Sequence, residues 1–272
     1  DRFLSDGDQS GRTEFNLWSP KGGLLWQIDP TWQAYANVSR SAEVPSFGES
    51  AMDFGIPFTS IRPQRATTYE IGTRGKRPDF TWELTAYRAE IKNELLCFYS
   101  VYGDCKVTNA DRTMHQGIEA GAGAAIVRNL FVRGDRPDKL WLNVAYTFND
   151  FRFNNDPVFG NNLLPGAPRH FVRAELLYKH PDGFYIGPNL EWVPQGYYAD
   201  SANTLSTDAY AIYGLKAGFD DGGRYSGYIE ARNIGNKAYI ASSSITDRAN
   251  ATSPLFEPGT GRAVYAGFKV RW

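Results

Sequence analysis

The chain has 272 residues, enough for one large β domain or two ordinary ones. Its 29 Lys and Arg nearly balance 30 Asp and Glu, so no net field points to nucleic acid or to a bare anionic membrane surface. No apolar run approaches the ~18 residues of a transmembrane helix, the longest, at 120–127, being largely Ala and Gly.

Apolar and polar residues alternate along most of the chain, the period-two signature of a strand. The pattern predicts eleven strands, at 18–28, 31–40, 66–76, 80–95, 113–127, 139–152, 169–179, 184–194, 207–219, 225–236 and 262–272. In 80–95, Phe80, Trp82, Leu84 and Ala86 share a face that continues as Arg88, Glu90 and Lys92. In 139–152, Leu140, Leu142, Val144, Tyr146 and Phe148 oppose Asn143, Thr147 and Asn149. In 262–272, Val264, Ala266, Phe268, Val270 and Trp272 oppose Lys269 and Arg271. The faces opposite the apolar ones carry Glu70, Arg74, Glu83, Glu119, Arg173, Glu175, Lys216, Glu230 and Arg232.

Connections predicted from Pro, Gly and Asp alternate in length. Those near Pro30, Pro78, Asp182 and Gly222 are tight, whereas 41–65, 96–112, 153–168, 195–206 and 237–261 are long, and 128–138 is intermediate. All tight turns therefore fall at one end of the strands and all long loops at the other. Transmembrane β-barrels are built so, and their strands give lipid only every second residue. That halving reconciles a mean hydropathy of −0.44 with 17 Phe, 16 Tyr, 7 Trp and 27 Gly. The expected fold is all-β, a transmembrane antiparallel up-and-down barrel. Eleven strands is an odd number for such a barrel, which suggests either a further strand among residues 1–17 or part of a larger barrel.

Several constellations of residues bear on chemistry. Cys97 and Cys105, the only cysteines, fall in the predicted loop 96–112 and read as a disulfide, with metal ligation as the rival. His115, His170 and His180 are scattered, without zinc-site spacing. Asp6-Gly7-Asp8-Gln9-Ser10-Gly11 opens like a calcium loop, but Leu17 stands where a bidentate Glu is needed. Gly121-Ala122-Gly123 lies inside a strand pattern and not before a helix, which excludes a dinucleotide loop. No nucleophile elbow, HExxH or Ser/His/Asp set appears, so neither an enzyme nor a cofactor is expected.

Six stretches, in order, resemble the TonB-dependent outer-membrane receptor family. They are Ser19-Pro20-Lys21-Gly22-Gly23-Leu24, Ala34-Tyr35-Ala36-Asn37-Val38-Ser39-Arg40 with Pro45, and Tyr69-Glu70-Ile71-Gly72-Thr73-Arg74. The others are Asn109 with His115-Gln116-Gly117-Ile118-Glu119, Asn233-Ile234-Gly235-Asn236-Lys237-Ala238-Tyr239, and Pro258-Gly259-Thr260-Gly261-Arg262 leading into the last strand. Ser41 and Ala42 depart from the family's usual Gly and Phe.

The resemblance implies that residues 1–272 are the C-terminal part of one 22-stranded barrel domain, with the N-terminal plug and first barrel half outside this chain. It implies location in the bacterial outer membrane, TonB as partner through the missing N-terminal region, and contact with outer-membrane lipid and lipopolysaccharide. It also implies that Phe268 and Trp272 signal to the barrel assembly machinery. The function implied is active uptake of a scarce bulky ligand, most readily a ferric siderophore. Tyr99, Tyr102, Phe159, Tyr197, Tyr198 and Arg248 are the candidate ligand-binding residues, by stacking and cation–π contact. The alternative reading is a self-contained pore or adhesin of about twelve strands.

Overall fold

The computed structural model describes residues 14–46, 61–99, 105–250 and 252–272. The stretch Asp6–Gly11 weighed as a calcium loop and Tyr102 lie outside them. Thirteen strands form among the described residues. They are β1 (Lys21–Asp29), β2 (Trp32–Glu43), β3 (Gln64–Arg77), β4 (Phe80–Tyr99), β5 (Cys105–Arg128), β6 (Lys139–Phe153) and β7 (His170–Lys179), then β8 (Phe184–Val193), β9 (Tyr210–Asp220), β10 (Tyr225–Arg232), β11 (Ile240–Ser243), β12 (Phe256–Pro258) and β13 (Ala263–Val270). Eleven of them make one antiparallel sheet in the order β1 to β10 followed by β13, while β11 and β12 pair separately within the last long connection.

Every neighbouring pair in the large sheet is a hairpin in sequence order, with β13 reached from β10 past the small β11–β12 hairpin. The tight turns are specified locally. Asp29 accepts from the Thr31 amide and hydroxyl, both at 2.7 Å. Gly183, at φ +100°, holds the β7–β8 turn where an added Cβ would lie 2.2 Å from the Asp220 carbonyl oxygen. That left-handed position, already crowded by backbone, excludes a side chain.

The register assigns each residue a face. One row runs Leu24, Ala36, Ile71, Ala86, Ile118 and Phe148 through directly paired positions of β1 to β6. Another runs Ile186, Ala217, Ile229 and Ala266 through β8, β9, β10 and β13. Leu24, Ile71, Leu84, Leu215, Val264 and Phe268 are all exposed. Such a surface has no water-facing use, and it fits hydrocarbon. On β4 the apolar face runs from Phe80 to Ala86 and ends at Arg88. These seven residues at ~3.3 Å each and a tilt of about 40° give an apolar height of roughly 18 Å, most of the ~25 Å of a barrel's lipid band. Trp26, Trp32, Phe80, Trp82, Phe184 and Tyr225 stand at or near the turn end, as an interfacial girdle does.

The architecture matches the expected strand count and order, with three differences at strand ends. The predicted loop 96–112 shrinks, because β4 and β5 stay paired from Glu94↔Ala110 to Tyr99↔Cys105. The strand predicted to reach 236 stops at Arg232. There Asn233 turns left-handed (φ +49°) and its side chain binds the backbone of Lys237 and Thr260 at 2.8–3.0 Å. The short pair β11–β12 was not anticipated. Within the described residues β1 and β13 each have one unpaired edge. Unpaired backbone groups cost several kcal/mol each in hydrocarbon, so closure of the wall needs further strands.

Placing a cation on the lipid face tests this orientation. Ile71→Arg in the intact protein is expected to destabilise the folded state in lipid vesicles by about 2–4 kcal/mol, read by urea titration. Glu83→Lys on the opposite face should stay within about 1 kcal/mol. Equal costs would contradict the assigned faces.

Candidate functional site

The inner face is polar from strand to strand. Arg173 reaches Glu191 at 2.9 Å, Lys216 reaches Glu175 at 3.4 Å, and Arg232 reaches Glu230 at 3.1 Å. Arg74 donates to Gln33 at 3.0 Å. Glu83, Gly121, Asn143, Arg173, Asn189 and Arg232 line a concave space of ≈ 480 Å³. An added Cβ at Gly121 would meet nothing within 4 Å, so this stretch of wall opens directly into that space.

At the long-loop end three connections fold onto one another. Asp200, fully buried, is their hub. Its carboxylate accepts from the amides of Thr204 (2.8 Å), Leu205 (3.0 Å) and Ala249 (3.1 Å), and from the Thr204 hydroxyl. Burial disfavours the charge, but these hydrogen bonds outweigh it and hold the carboxyl below its usual range. Asn203, left-handed at φ +56°, exchanges two 2.9 Å bonds with the Leu163 backbone. Ala110, Phe153 and Leu164 form a small core below, with Leu96, Phe151 and Phe159 against it.

Two cavities open in this cap. One, of ≈ 490 Å³, lies between Arg62, Phe98, Asn109, Val158, Phe159 and Asp247, and burial raises the Asp247 carboxyl. Asn109 closes its floor, holding Arg62 at 2.8 and 2.9 Å and the Asn93 carbonyl at 2.9 Å. The other, of ≈ 310 Å³, is lined by Phe151, Arg169, Gln195, Tyr197, Tyr198 and Ser206. Deeper on the inner wall, His115 stacks on Phe151 (4.5 Å) and lies 3.2 Å from the nearly buried Glu94.

The structure divides the residues expected to bind ligand. Phe159 lines the first cavity, its ring 4.9 Å from Phe153. Tyr197 and Tyr198 line the second; Tyr197 is buried, and burial raises its phenol, whereas Tyr198 is half-buried. Arg248 is exposed on the loop that supplies Ala249 to Asp200. Tyr99 ends β4 and Cys105 begins β5, but the side chains of Tyr99, Tyr102 and Cys105 lie outside the described residues. Cys97 is disulfide-bonded and sits on β4, in register with Val107, and not in a loop. Phe268 faces outward on β13, and Trp272 lies exposed just past it. Sequence reasoning missed Asp200, Asn203 and the Glu94–His115 pair, because the contacts that join loops, Asp200 with Ala249 and Asn203 with Leu163, lie 49 and 40 residues apart in the chain. Among the described residues no group of three or more His, Cys, Asp or Glu could hold a metal ion.

Comparison with known proteins adds four findings. Residues 1–234 match the family model described as TonB dependent receptor-like, beta-barrel. The chain is 23% identical over 264 residues to the catecholate siderophore receptor Fiu of Escherichia coli (strain K12), covering 91% of this chain and 32% of that protein. It is 24% identical over 247 residues to the vitamin B12 transporter BtuB of Photobacterium profundum, covering 87% and 36%. The crystal structure of the ferric yersiniabactin uptake receptor FyuA from Yersinia pestis superposes with a TM-score of 0.65 at 18% identity, covering 93% of this chain and 36% of that one. The chain thus spans about a third of these relatives' length.

The Asp200 hub carries a pH dependence with a definite sign. A carboxyl whose folded pKa is depressed contributes stability above its unfolded value, near 3.8, and loses it as pH falls through the folded value. Protection of the 194–209 and 244–250 amides from hydrogen exchange should therefore be flat from about pH 7 to 4 and fall below it. Asp200→Ala, which strands buried donors, should lower that protection by about 2–3 kcal/mol at neutral pH. Unchanged exchange in the variant would show that the three loops are held by other contacts.

Proposed function

The chain belongs to the TonB-dependent receptor β-barrel family, and from that membership we propose that it supplies barrel wall and extracellular loops for TonB-coupled uptake of a ferric siderophore across the outer membrane. Outer-membrane location follows from the family, whose relatives named above are receptors and transporters. The observation that carries the reading is the cap. Three interlocked loops hold aromatic and cationic side chains around open cavities, directly over a polar concave wall. That arrangement suits capture of a bulky, flat, charged chelate followed by passage inward. Fiu is named a catecholate siderophore receptor and FyuA a ferric yersiniabactin uptake receptor, which supports iron chelates over vitamin B12 as cargo. In this reading no bond of the cargo changes; TonB acts through a plug outside this chain.

Uptake by cells carrying the full-length receptor tests the reading. Accumulation of radiolabelled iron supplied as a catecholate siderophore should depend on both the receptor and TonB. Tyr198→Ala combined with Arg248→Ala should weaken siderophore binding about tenfold, the combined size of one stacking and one cation–π contact. Accumulation of labelled cobalamin instead would replace the cargo, and TonB-independent leakage of both would sink the uptake mechanism.

A further inference from the structure

Asn93 interrupts the pairing of β4 with β5. The ladder is regular up to Lys92↔Arg112 and resumes at Glu94↔Ala110. Between them Asn93 is left-handed, at φ +54°. Its carbonyl accepts from the Asn109 side chain at 2.9 Å, and the same side chain holds Arg62. Glu94 follows Glu90 and Lys92 in steps of two and would share their outward face. Instead it is buried, and it meets His115 on the inward row of Ala89 and Phe151. Its own ladder partner, Ala110, stands five residues from His115. In a straight ladder that is about 16 Å, at ~3.3 Å per residue, more than the two side chains span. The paired stems 94–98 and 107–110 are therefore folded inward about Asn93, and the Glu94–His115 contact joins the folded stem to the wall below.

This contact has no hydrogen bond of its own. His115 Nε2 lies 3.2 Å from Glu94 Oε1. Yet Nε2 and the second carboxylate oxygen, Oε2, are buried without a hydrogen-bond partner among the described residues, as is the Thr113 hydroxyl two residues earlier on β5. The attraction is therefore one of charge, present when the imidazole is protonated and the carboxylate ionised. Among the described residues no other ionised group competes for it closely. The inward rows here read Ser39, Thr68, Ala89, His115, Phe151 and Ser41, Ala66, Ile91, Thr113, Phe153. One row below stand Glu70 on β3 and Tyr87 on β4, the latter bound to Asn149 at 3.1 Å, and Glu119 follows a further row down β5. On β6, Asp150 and Arg152 are bound to each other. From the connections, Arg62 and Asp247 line the larger cap cavity and Arg169 the smaller.

An ordinary imidazole changes charge between pH 5 and 8. The His115 side chain is 25% exposed, enough to exchange its proton with solvent. We propose that Glu94 and His115 form a pH-sensitive latch, which holds the folded β4–β5 stem against the wall while His115 is protonated and releases it as pH rises through the imidazole's titration. The ring stays with the wall, stacked on Phe151 at 4.5 Å, so the stem is the part released. The stem carries Phe98, Thr108, Asn109 and Ala110 into the lining of the larger cavity, of ≈ 490 Å³. The latch thus sets how firmly that cavity is walled. It goes beyond the uptake reading and needs no cargo.

Hydrogen exchange of the ligand-free full-length receptor at pH 5 and pH 8, corrected for the intrinsic pH dependence of amide exchange, tests the latch. The amides of 94–98 and 107–110 should be about tenfold better protected at pH 5, the difference between a charged and a neutral pairing. His115→Gln and Glu94→Gln each remove the ionic pairing at near-constant size and should abolish that ratio. The amides of 194–209, held by Asp200, which is ionised at both pH values, should be equally protected in all three proteins. Should His115→Gln fail to assemble, Glu94→Gln decides by the same ratio. A wild-type ratio near one, a ratio that survives in either variant, or an equal change at 194–209 would overturn the latch, whereas siderophore uptake is read separately and bears only on the cargo.

Discussion

In hydrocarbon, no backbone N–H or C=O can turn to water, and each group left unpaired costs several kcal/mol. Everything else in this chain follows from the ladder that meets this requirement. Eleven strands paired edge to edge in sequence order leave no freedom of register, because a one-residue slip would turn Ile71, Leu84 and Leu215 inward and Arg74, Glu83 and Lys216 into lipid. The same ladder that satisfies the backbone therefore sorts the side chains. The polar lumen and the apolar exterior are two readings of one alternation.

That coupling explains what was legible in the sequence. Within the lipid band one face must be apolar, so period two is enforced and the strand cores were readable from Leu24 to Phe268. Above the band the enforcement stops. Residues 94–99 and 105–110 are paired like the rest, yet Leu95-Leu96-Cys97-Phe98 puts apolar residues on both faces, with Leu96 against the core of the cap. Without alternation the stretch looked like a loop. The end of β10 was unreadable for a different reason: Tyr225–Arg232 alternates cleanly, and only the bonds from Asn233 to Lys237 and Thr260 end it. One of those partners lies 27 residues away.

The cap was legible as residue types but not as a site. Tyr197, Tyr198 and Phe159 could be singled out as loop aromatics, but nothing local separates a ring that seals a cavity from one that lines it. Burial of Tyr197 and the packing of Phe159 on Phe153 are set by loops 35 to 50 residues apart that meet at Asp200 and Asn203. An aspartate in a Ser/Asn-rich loop ordinarily signals a turn. Here it is also the contact that holds one loop against another, and its ionisation is part of the architecture.

Height along the strand then decides what charge is for. Among the described residues near the membrane middle, charges face inward and several are paired, such as Arg173 with Glu191 and Lys216 with Glu175, where they make a wall polar without a strong net field. Two or three rows higher on β2–β6 the outward rows carry Arg40, Arg65, Arg88, Lys92 and Arg112, while the inner wall there holds the Glu94–His115 pair. A solvated sheet end would have no reason to segregate charge by face, since water is equally available to both. On the inward side at that height stands a packed cap, in which Glu94 lies 3.2 Å from His115 and Ala110, Phe153 and Leu164 close on one another, so the two faces do not share the same surroundings. The alternation of each strand thus records where the apolar band ends and the cap begins.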